Sequence, residues 1–415
     1  MNAVRILLHR LRHVWLLAAS QGPGRAARLV LRRLVHGPGS TRIDVLGHFD
    51  FVERERVDAL PGVAAAGSLL WFVPDFNIGS GGHLNIFRII WNLERMGYAS
   101  AIVIVKPALH HDAAEAREEI RTHFFPLEAQ VYVGLDALPP CEFAVATGWD
   151  TAYAVRAFAG ARHKLYFVQD YEPWFFPMGT EFVLARNTYG FGFFGITAGA
   201  WLAGKLAAEH GMGTHAVGFG VEQERYRRLP RREAGRKRVF FYARPPTPRR
   251  AFELGLLVLA AVARRLPQTQ FVLAGWDTES YHIPFEHLAC GTLALDDLPD
   301  IYSQCDVALV LSLTNLSLLP LELMACGCTV VSNRGPNVEW LLDDDVALLA
   351  DTTPEDLAGA ICTLLRDDEK RLALSARAEA FARGQAWDAV ARDFEAGMRA
   401  ARHASPSNEE KPCAA

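Results

Sequence analysis

Short, continuous apolar runs alternate with helix-length segments along most of this chain, and that alternation limits the folds open to it. Between residues 67 and 220 we predict five strands with helical segments between them, such as the amphipathic stretch over 84–96. Continuous apolar strands separated by helices are typical of a parallel sheet that is covered on both faces. The first half is therefore predicted to be an α/β domain, with strands over 67–73, 101–105, 143–147, 165–169 and 193–197.

The alternation starts again after a polar, arginine-rich stretch over 222–237, which we interpret as an interdomain linker. Further strands are predicted over 238–243, 271–274, 306–312, 329–333 and 346–350. Because 415 residues are too many for one ordinary core, length alone suggests two or three domains. The repeated alternation predicts two successive Rossmann-like α/β domains of similar size. The predicted divisions are a basic amphipathic extension over 1–43, an N-terminal domain over 44–220, a C-terminal domain over 221–385, a helix over 386–403 that packs back toward the N-terminal domain, and a disordered tail over 404–415.

Composition narrows the functional classes. Half of the residues are apolar and 22% are charged, which is typical of a folded globular protein. A net charge of −4 provides no general attraction to nucleic acid. The seven cysteines are scattered and form no CxxC pair, which argues against a disulfide framework or a zinc ribbon and favours a reducing compartment. No apolar run reaches the ~18 residues that indicate a spanning helix.

The first forty residues are strongly basic. Read as a helix, residues 3–18 place apolar side chains on one face and basic ones on another, and such helices lie on anionic membrane surfaces. We therefore predict a cytoplasmic protein that contacts the inner face of the plasma membrane through residues 1–40. The alternative is a solvated extension packed on the body. Several arginines precede the first acid, Asp44, among them Arg5, Arg10, Arg12, Arg25, Arg28, Arg32 and Arg33.

A glycine-rich loop follows the first predicted strand and leads into a helix. Gly79, Gly81 and Gly82 let a bound group approach the backbone, and the helix start beside His83 offers N–H groups to an anion. The dinucleotide fingerprint G-x-G-x-x-G is absent, which disfavours an NAD enzyme. The loop predicts a binding site, and the alternative is a simple strand-to-helix turn.

Two arginines follow the strand over 238–243 on a loop stiffened by prolines. Guanidinium groups bind phosphate oxygens bidentately and stay charged, so Arg244 and Arg249 suit a diphosphate. The alternative is a basic surface loop.

Farther along the chain, Glu322 lies in an otherwise apolar helix that ends at Gly327. A buried acid requires a partner, and a ribose hydroxyl pair would supply one. The alternative is a Glu322 side chain on the exposed face of the helix.

Polar side chains and aromatic rings follow the strand over 165–169. Carboxylates accept hydrogen bonds from sugar hydroxyls, and aromatic faces pack against sugar C–H groups. The alternative is aromatic packing in the core or between domains. The segment contains Gln169, Asp170, Tyr171, Glu172 and Trp174.

Signals for a metal are weak. The acidic run Asp343–Asp345 follows a helix and is interpreted as a turn, and His110-His111-Asp112 has no further ligand nearby in the sequence. We therefore predict no metal and no cofactor.

Residues 68–395 together resemble the retaining glycosyltransferases of family 4, which have the GT-B fold. The segment from Leu321 to Val331 resembles the second half of that family's paired-glutamate signature, and Arg244 with Arg249 resembles its Arg and Lys pair. Two departures stand out. The first glutamate of the signature falls on Thr314, and the frequent histidine at the N-domain strand end is Gln169, followed by Asp170. The Tyr-Ala-Arg-Pro and Gln-Asp-Tyr-Glu-Pro variants most resemble the rhamnosyltransferase branch of bacterial surface-glycan assembly.

The resemblance implies a role for each segment. The N-terminal domain would bind a glycan or lipid-linked glycan acceptor, and the C-terminal domain would bind the nucleotide sugar. The catalytic set would be His83, Gln169 and Asp170, and the donor diphosphate set Gly81, Gly82, Arg244 and Arg249. The nucleotide and sugar set would be Gly275, Thr314, Asn315, Ser317, Leu318 and Glu322, and the acceptor set Tyr171, Glu172 and Trp174.

The predicted function is a metal-independent, retaining transfer of L-rhamnose from dTDP-L-rhamnose onto a growing bacterial surface glycan. Three alternatives remain open. A non-catalytic glycan-binding or scaffold subunit is favoured by Thr314 and disfavoured by the retained arginines and Glu322. A nucleotide-sugar epimerase or a phosphorylase of the same fold would differ in chemistry rather than in architecture.

Overall fold

The computed structural model describes residues 44–232 and 235–404, and within them two parallel β-sheets carry the architecture. The predictions on residues 1–43 and on the tail from 405 onward lie outside the described residues. Residues 44–53 contain the helical turn Val45–His48 and the 3-10 turn Asp50–Glu53, and they separate from a larger unit that begins at Arg54.

The first sheet has seven strands in the order β3-β2-β1-β4-β5-β6-β7, all parallel. Two of them, β3 and β7, were missed by the sequence pattern. Both are short edge strands in which only Val217 is buried, so neither shows a long continuous apolar run. The strands are β1 Ser68–Val73, β2 Ala99–Ile104, β3 Gln130–Val133, β4 Cys141–Ala146, β5 Ala161–Val168, β6 Phe194–Ala198 and β7 Thr214–Val217.

Helices cover both faces of the first sheet. Alternate residues of β1 divide between two cores, with Trp71 in one and Phe72 in the other, as the two-residue period of a strand requires. The helix after β1 begins at Gly81, three residues before the predicted start, because Ser80 is its N-cap. The helices are α1 Gly81–Arg95, α2 Ala113–His123, α3 Trp149–Ala157, α4 Thr180–Asn187 and α5 Ala200–His210.

The second sheet has six parallel strands in the order β10-β9-β8-β11-β12-β13. The strands are β8 Arg238–Tyr242, β9 Gln270–Ala274, β10 His287–Gly291, β11 Val307–Val310, β12 Thr329–Asn333 and β13 Leu348–Ala350. Edge strand β10 was missed because its side chains are largely exposed. The helices are α6 Phe252–Arg265, α7 Leu298–Ser303, α8 Leu319–Ala325, α9 Pro336–Glu339, α10 Pro354–Arg366 and α11 Asp368–Gly384. Pro336 starts α9 two residues before the predicted helix, since proline suits a first turn.

The last described helix, α12 (Trp387–His403), returns to the first sheet. Its Phe394 is fully buried, with its ring centroid 5.6 Å from that of Trp71 and 5.4 Å from that of Phe167. Tyr98 donates to the Glu395 carboxylate at 2.8 Å. The carboxyl ends of the parallel strands carry the loops at residues 74–80, 169–176, 243–251 and 311–318, which is where open α/β sheets bind ligands.

Across residues 44–232 and 235–404, no helix is both long enough and apolar enough to span a bilayer. The cysteines in these ranges are all free thiols.

Candidate functional site

Three arginines lie on the loop after β8. The two predicted from sequence, Arg244 and Arg249, are joined by Arg250, which the sequence analysis did not single out. Arg250 donates to Ser312 Oγ at 2.7 Å, and burial lowers the pKa of its guanidinium to about 10 although Asp170 opposes that shift. Burial is costly for a cation unless an anion compensates it. The loop therefore holds positive charge within the protein rather than on an open surface.

The start of α6 adds to this positive character. Ala251, its N-cap, has φ +51°, a conformation that costs a non-glycine residue roughly 1–3 kcal/mol and that clusters at binding sites. The helix has 14 residues, and its first N–H groups follow the arginine loop directly. Helix N-termini attract anions, so the loop and the helix favour the same kind of ligand.

Asp170, in the N-terminal domain, lies close to Arg249 and Arg250 of the C-terminal domain. Its carboxylate accepts from Thr314 Oγ, from the Asn315 N–H and from the Tyr171 N–H, each at 2.8 Å. Burial raises the pKa of the Asp170 carboxyl, and the Asn315 hydrogen bond and the charges of Arg250 and Arg249 oppose that rise. The predicted catalytic carboxylate is thus engaged in contacts between the two domains in this arrangement.

Arg249 retains unused hydrogen-bonding capacity. Its Nε lies 3.6 Å from Asp170 Oδ2, beyond hydrogen-bond distance, and is buried without an acceptor among the described residues. Its guanidinium stacks 4.1 Å from the ring centroid of Phe175. Arg244 donates to the Tyr242 hydroxyl at 3.1 Å. The charges of Arg249 and Arg250 act on the Asp170 carboxylate, and Arg244 lies close enough to both arginines to act on their charges. Three guanidinium groups near one carboxylate leave positive charge in excess, which suits a dianion.

The side chains of Thr314 and Asn315 form hydrogen bonds between the two domains and leave few polar atoms exposed. The Asn315 amide donates to the carbonyls of Gln169 at 3.0 Å and Ala198 at 2.7 Å, and its Oδ1 accepts from Trp340 Nε1 at 2.9 Å. Both side chains are almost fully buried. Their predicted contact with the sugar would therefore require these hydrogen bonds to exchange.

The glycine loop lies next to Gln169. Gln169 Nε2 donates to the Gly82 carbonyl at 3.1 Å, and Asn85 donates to Gln169 Oε1 at 3.2 Å. Gly81 and Gly82 are exposed, and a Cβ on Gly81 would have no described atom within 4 Å. The structure thus brings Gly81, Gly82 and Gln169 together, with room for a ligand against the backbone.

His83 supports this loop through both ring nitrogens. Nδ1 accepts from Ser80 Oγ at 2.8 Å, and Nε2 donates to the Pro74 carbonyl at 3.1 Å, an assignment that follows from the partners. Burial lowers the pKa of His83. The ring is therefore neutral at pH 7, and as a proton donor or acceptor it would first have to give up one of these bonds.

A second histidine, His110, holds the start of the same loop in place through Asp75. His110 lies between Asp75, at 2.5 Å from Nδ1 to Oδ1, and Glu119, at 3.3 Å from Nε2 to Oε2, and it stacks on Phe76. Asp75 also accepts the backbone N–H groups of residues 108–110. The sequence motif that we set aside as a weak metal signal thus anchors a loop. In the described parts of the chain, no group of three or more His, Cys, Asp and Glu side chains could hold a metal ion.

This anchor predicts a pH dependence of stability. Burial lowers the pKa of His110, but the hydrogen bonds to Asp75 and Glu119 reverse this and leave the pKa above its ordinary 6.5. Burial likewise raises the pKa of Asp75, which the bonds from His110 and from the backbone bring down to about 2. The contribution of His110 to stability is therefore complete below pH 6.5 and is lost as the pH rises through its raised pKa. The contribution of Asp75 is present above its ordinary pKa of 3.8 and is lost as the pH falls toward about 2.

We expect the variant His110→Gln to lose stability at pH 6 and to lose much less at pH 9, as measured by urea unfolding at both pH values. His111→Gln, at the exposed neighbouring position, is the matched control and should match the wild type. An equal loss at both pH values would show that charge on His110 does not contribute.

Glu322 lies in a cluster that the sequence only partly revealed. Burial raises the pKa of its carboxyl to about 7, although Arg88 opposes this, and the Tyr226 hydroxyl donates to it. Arg88, from α1, also forms an ion pair with Glu222, and its guanidinium lies 4.4 Å from the ring centroid of Trp387. Of the two alternatives left open for Glu322, the structure disfavours the exposed one, because the side chain is half-buried and has polar partners. Arg88 was missed because it sits in a helix with no unusual local pattern.

Three further predicted residues lie in the C-terminal domain. Gly275, with φ +113°, directly follows β9, and a Cβ there would lie 2.4 Å from the Tyr242 ring. Ser317 lines a small cavity with Arg250 and Tyr242. Leu318 is buried as the N-cap residue of α8. Gly275 therefore permits the packing of Tyr242 beneath Arg244, whereas Leu318 contributes to the core.

The predicted acceptor residues divide into two groups. Tyr171 and Glu172 are buried, and Glu172 accepts from the Trp149 N–H at 2.6 Å and from Tyr166 at 2.9 Å, with a pKa that burial raises to about 8. These two residues are internal supports in this arrangement. Trp174 is 42% exposed, and it lines an open pocket of about 680 Å³. That pocket is lined by Trp174, Ala200, Trp201, Gly204, Lys205, Glu209, Leu313, Pro336 and Asn337.

Two Rossmann-like domains whose strand ends face each other across a cleft define the GT-B fold, which confirms the predicted fold class. Residues 237–362 match the family model described as WsaF, C-terminal domain. The chain is also 37% identical over 340 residues to the O-antigen biosynthesis protein RfbC of Myxococcus xanthus. The alignment covers 77% of this chain and 26% of RfbC, so the chain spans about a quarter of that relative.

Solved structures share the architecture at low sequence identity. Anabaena Alr3699/HepE in complex with UDP and glucose superposes with a TM-score of 0.64 at 17% identity, covering 80% of this chain and 99% of HepE. The S. aureus TarM G117R mutant gives 0.64 at 8% identity over 80% of this chain and 99% of TarM. Sucrose-phosphate synthase from Thermosynechococcus elongatus gives 0.62 at 14% identity over 81% of this chain and its own full length. These likenesses establish the fold.

Proposed function

We propose that this protein is a glycosyltransferase that moves a sugar from a nucleotide diphosphate onto a growing bacterial surface glycan. The observation that carries the proposal is the excess positive charge of Arg244, Arg249 and Arg250 beside the N-terminus of α6, at the meeting of the strand ends. HepE, a structural neighbour, is bound to UDP and glucose, and the name of RfbC places that relative in O-antigen biosynthesis. Both agree with a nucleotide-sugar donor and a glycan acceptor.

The chemistry follows from where charge develops. When the bond from the sugar to the diphosphate breaks, negative charge grows on the leaving phosphate, and fixed cations stabilise that charge most strongly in a water-poor site. Arg249 and Arg244 supply these cations, while Gly81 and Gly82 allow the backbone to approach the phosphate. Glu322 would hold the 3′ hydroxyl of the donor ribose. No metal would be required, since guanidinium groups and N–H groups replace it.

We further propose L-rhamnose from dTDP-L-rhamnose as the donor, transferred with retention of configuration. This rests on the resemblance of the segments around Arg244 and Asp170 to the rhamnosyltransferase branch. Gln169, beside the glycine loop, and Asp170, beside Thr314, would orient hydroxyls of donor and acceptor. His83 would keep the loop closed over the sugar-phosphate linkage.

A thermal-shift panel tests the proposal. A ligand that binds the folded state raises its apparent stability by mass action. We expect dTDP-L-rhamnose to stabilise the protein more than UDP-, GDP- or ADP-sugars, equally with and without EDTA. Stabilisation by another nucleotide sugar would reject the rhamnosyl donor, stabilisation that EDTA abolishes would reject metal independence, and no stabilisation by any of them would reject the transferase.

Replacing Glu322 is expected to raise stability and to weaken donor binding. Because its pKa rises from 4.5 to about 7 on folding, wild-type stability should fall as the pH rises through that interval. We expect Glu322→Gln to be more stable than the wild type at pH 8 and to bind dTDP-L-rhamnose several-fold more weakly. Thermal unfolding at pH 5 and pH 8 and a donor titration measure these effects, with exposed Glu369→Gln as control. Unchanged donor affinity would remove Glu322 from the binding site.

Residues 1–40 are proposed to contact the membrane surface, on the basis of their basic amphipathic pattern. The expected result is that the full chain sediments with vesicles containing anionic lipid, and that a variant lacking residues 1–40 does not. Equal sedimentation of both proteins would reject this proposal.

One observation favours a second candidate, a non-catalytic glycan-binding subunit. Asp170, Thr314 and Asn315 are engaged with one another between the domains instead of presenting polar atoms to a donor. Such a subunit would bind a glycan but would show no stabilisation by any nucleotide sugar. An epimerase of the same fold would release free nucleotide and an altered sugar without an acceptor.

A further inference from the structure

The open pocket beside Trp174 is formed by both domains. Trp174, Trp201 and Lys205 come from the N-terminal domain, and Leu313 and Pro336 come from the C-terminal domain. Leu313 also donates its N–H to the Arg249 carbonyl at 2.9 Å, so one wall of the pocket is continuous with the arginine loop. The pocket therefore lies next to the proposed reaction site but uses different side chains.

Two indole rings in this pocket are held in place. The centroids of Trp174 and Trp201 lie 5.9 Å apart with planes at 34°. The Lys205 ammonium lies 4.6 Å from the Trp174 ring centroid and 4.4 Å from that of buried Tyr171. Tyr171 in turn packs edge-on against Trp174 at 5.0 Å. An exposed indole that is supported on several sides loses little conformational entropy when it binds a ligand.

The charges in the pocket are balanced. Lys205 pairs with Glu209 at 2.6 Å, and the other lining residues that the structure describes are uncharged. The Asn337 amide donates to the carbonyls of Ser312, at 2.9 Å, and Thr314. A diphosphate would find no uncompensated cation here, in contrast to the arginine loop. The pocket suits a neutral ligand that has an apolar face and a few hydroxyl groups.

We propose that this pocket is a subsite for a sugar unit of the acceptor glycan that does not itself react, and that it prefers a 6-deoxyhexose. The inference rests on the proposed function and adds the substrate class. The C–H face of a pyranose packs on the indoles of Trp174 and Trp201, and its hydroxyls meet Glu209 and Asn337. A methyl group in place of a hydroxymethyl group suits the apolar wall of Leu313 and Pro336.

Fluorine NMR of protein labelled with 5-fluorotryptophan tests the subsite directly. The chain has nine tryptophans, and Trp174→Phe and Trp201→Phe assign the two resonances of interest. The probes are the methyl glycoside of α-L-rhamnotriose and, as a sugar with more hydroxyls, isomaltotriose, each at millimolar concentration. We expect rhamnotriose to shift the resonances of Trp174 and Trp201 first, and isomaltotriose to bind more weakly.

The variant Trp201→Ala should raise the Kd for rhamnotriose about tenfold or more, because buried aromatic anchors carry much of the binding energy. Trp91→Ala, which removes a half-buried indole that packs on Phe125, is the matched control and should leave that Kd unchanged. Failure of rhamnotriose to shift either resonance, or an equal effect of both alanine variants, would overturn the subsite.

The same preparation separates the subsite from the transferase. Stabilisation by dTDP-L-rhamnose without a shift at Trp174 and Trp201 would overturn the subsite while the proposed donor stands. A shift at both tryptophans without any stabilisation by nucleotide sugars would show that the pocket binds a glycan, but it would overturn the transferase and with it the role of the pocket as an acceptor subsite.

Discussion

Replacing Arg249 with alanine is expected to lower kcat for sugar transfer by about 10²-fold to 10³-fold and to raise the KM for the donor. The guanidinium of Arg249 stacks on Phe175, lies beside Asp170 and keeps a buried Nε without an acceptor among the described residues. A cation held in this way requires no reorganisation when charge develops on the leaving phosphate. Its removal should therefore affect the transition state more than the bound donor.

Steady-state kinetics with dTDP-L-rhamnose and a glycan acceptor measure the effect. Arg249→Lys keeps a charge but lacks the planar fork, so it should recover only part of the activity. Arg264→Ala removes an exposed arginine from α6 of the same domain and is the matched control, for which wild-type kinetics are expected. Wild-type kinetics in Arg249→Ala would reject its role in binding the diphosphate.

Replacing Asp170 with alanine is expected to destabilise the protein by about 3–5 kcal/mol, the range for breaking a buried ion pair. The substitution would remove the acceptor of the Thr314 hydroxyl and of the Asn315 and Tyr171 N–H groups. It would also leave half-buried Arg250 without the carboxylate that stabilises its charge. The uncompensated cation and the three donors without an acceptor both lower stability. The loss should appear first where the two domains meet.

Urea unfolding, followed by tryptophan fluorescence, measures this loss. Asp393→Ala, at an exposed position of α12, is the control and should stay within about 0.5 kcal/mol of the wild type. The double variant Asp170→Ala/Arg249→Ala should lose less stability than the sum of the single variants, because removing one charge reduces the cost of removing the other. Additive losses would mean that Asp170 and Arg249 are not coupled, and wild-type stability of Asp170→Ala would contradict the importance of the contact.

Much of the architecture could be predicted from the sequence alone. Buried central strands such as β1, β4 and β11 are continuous apolar runs, and their local composition identifies them without knowledge of their neighbours. Edge strands β3, β7 and β10 were missed because an edge strand is specified by its partner and not by its own hydrophobicity. The helix boundaries at Gly81 and Pro336 shifted for local reasons of capping.

In the candidate site, too, some residues are placed by the local sequence and others by the packing of the domains. Gly81, Arg244 and Arg249 follow strands on short loops, so their position at a sheet edge is fixed by a few neighbouring residues, and the sequence determined it. The pairing of Asp170 with Thr314, 144 positions apart, depends on how two separate sheets pack, and only the tertiary structure decided it. The burial of Arg88 against Glu222 and the packing of Trp201 against Trp174 arise in the same way. Contacts between distant segments depend on the packing of whole domains, and no local pattern of residues encodes that packing.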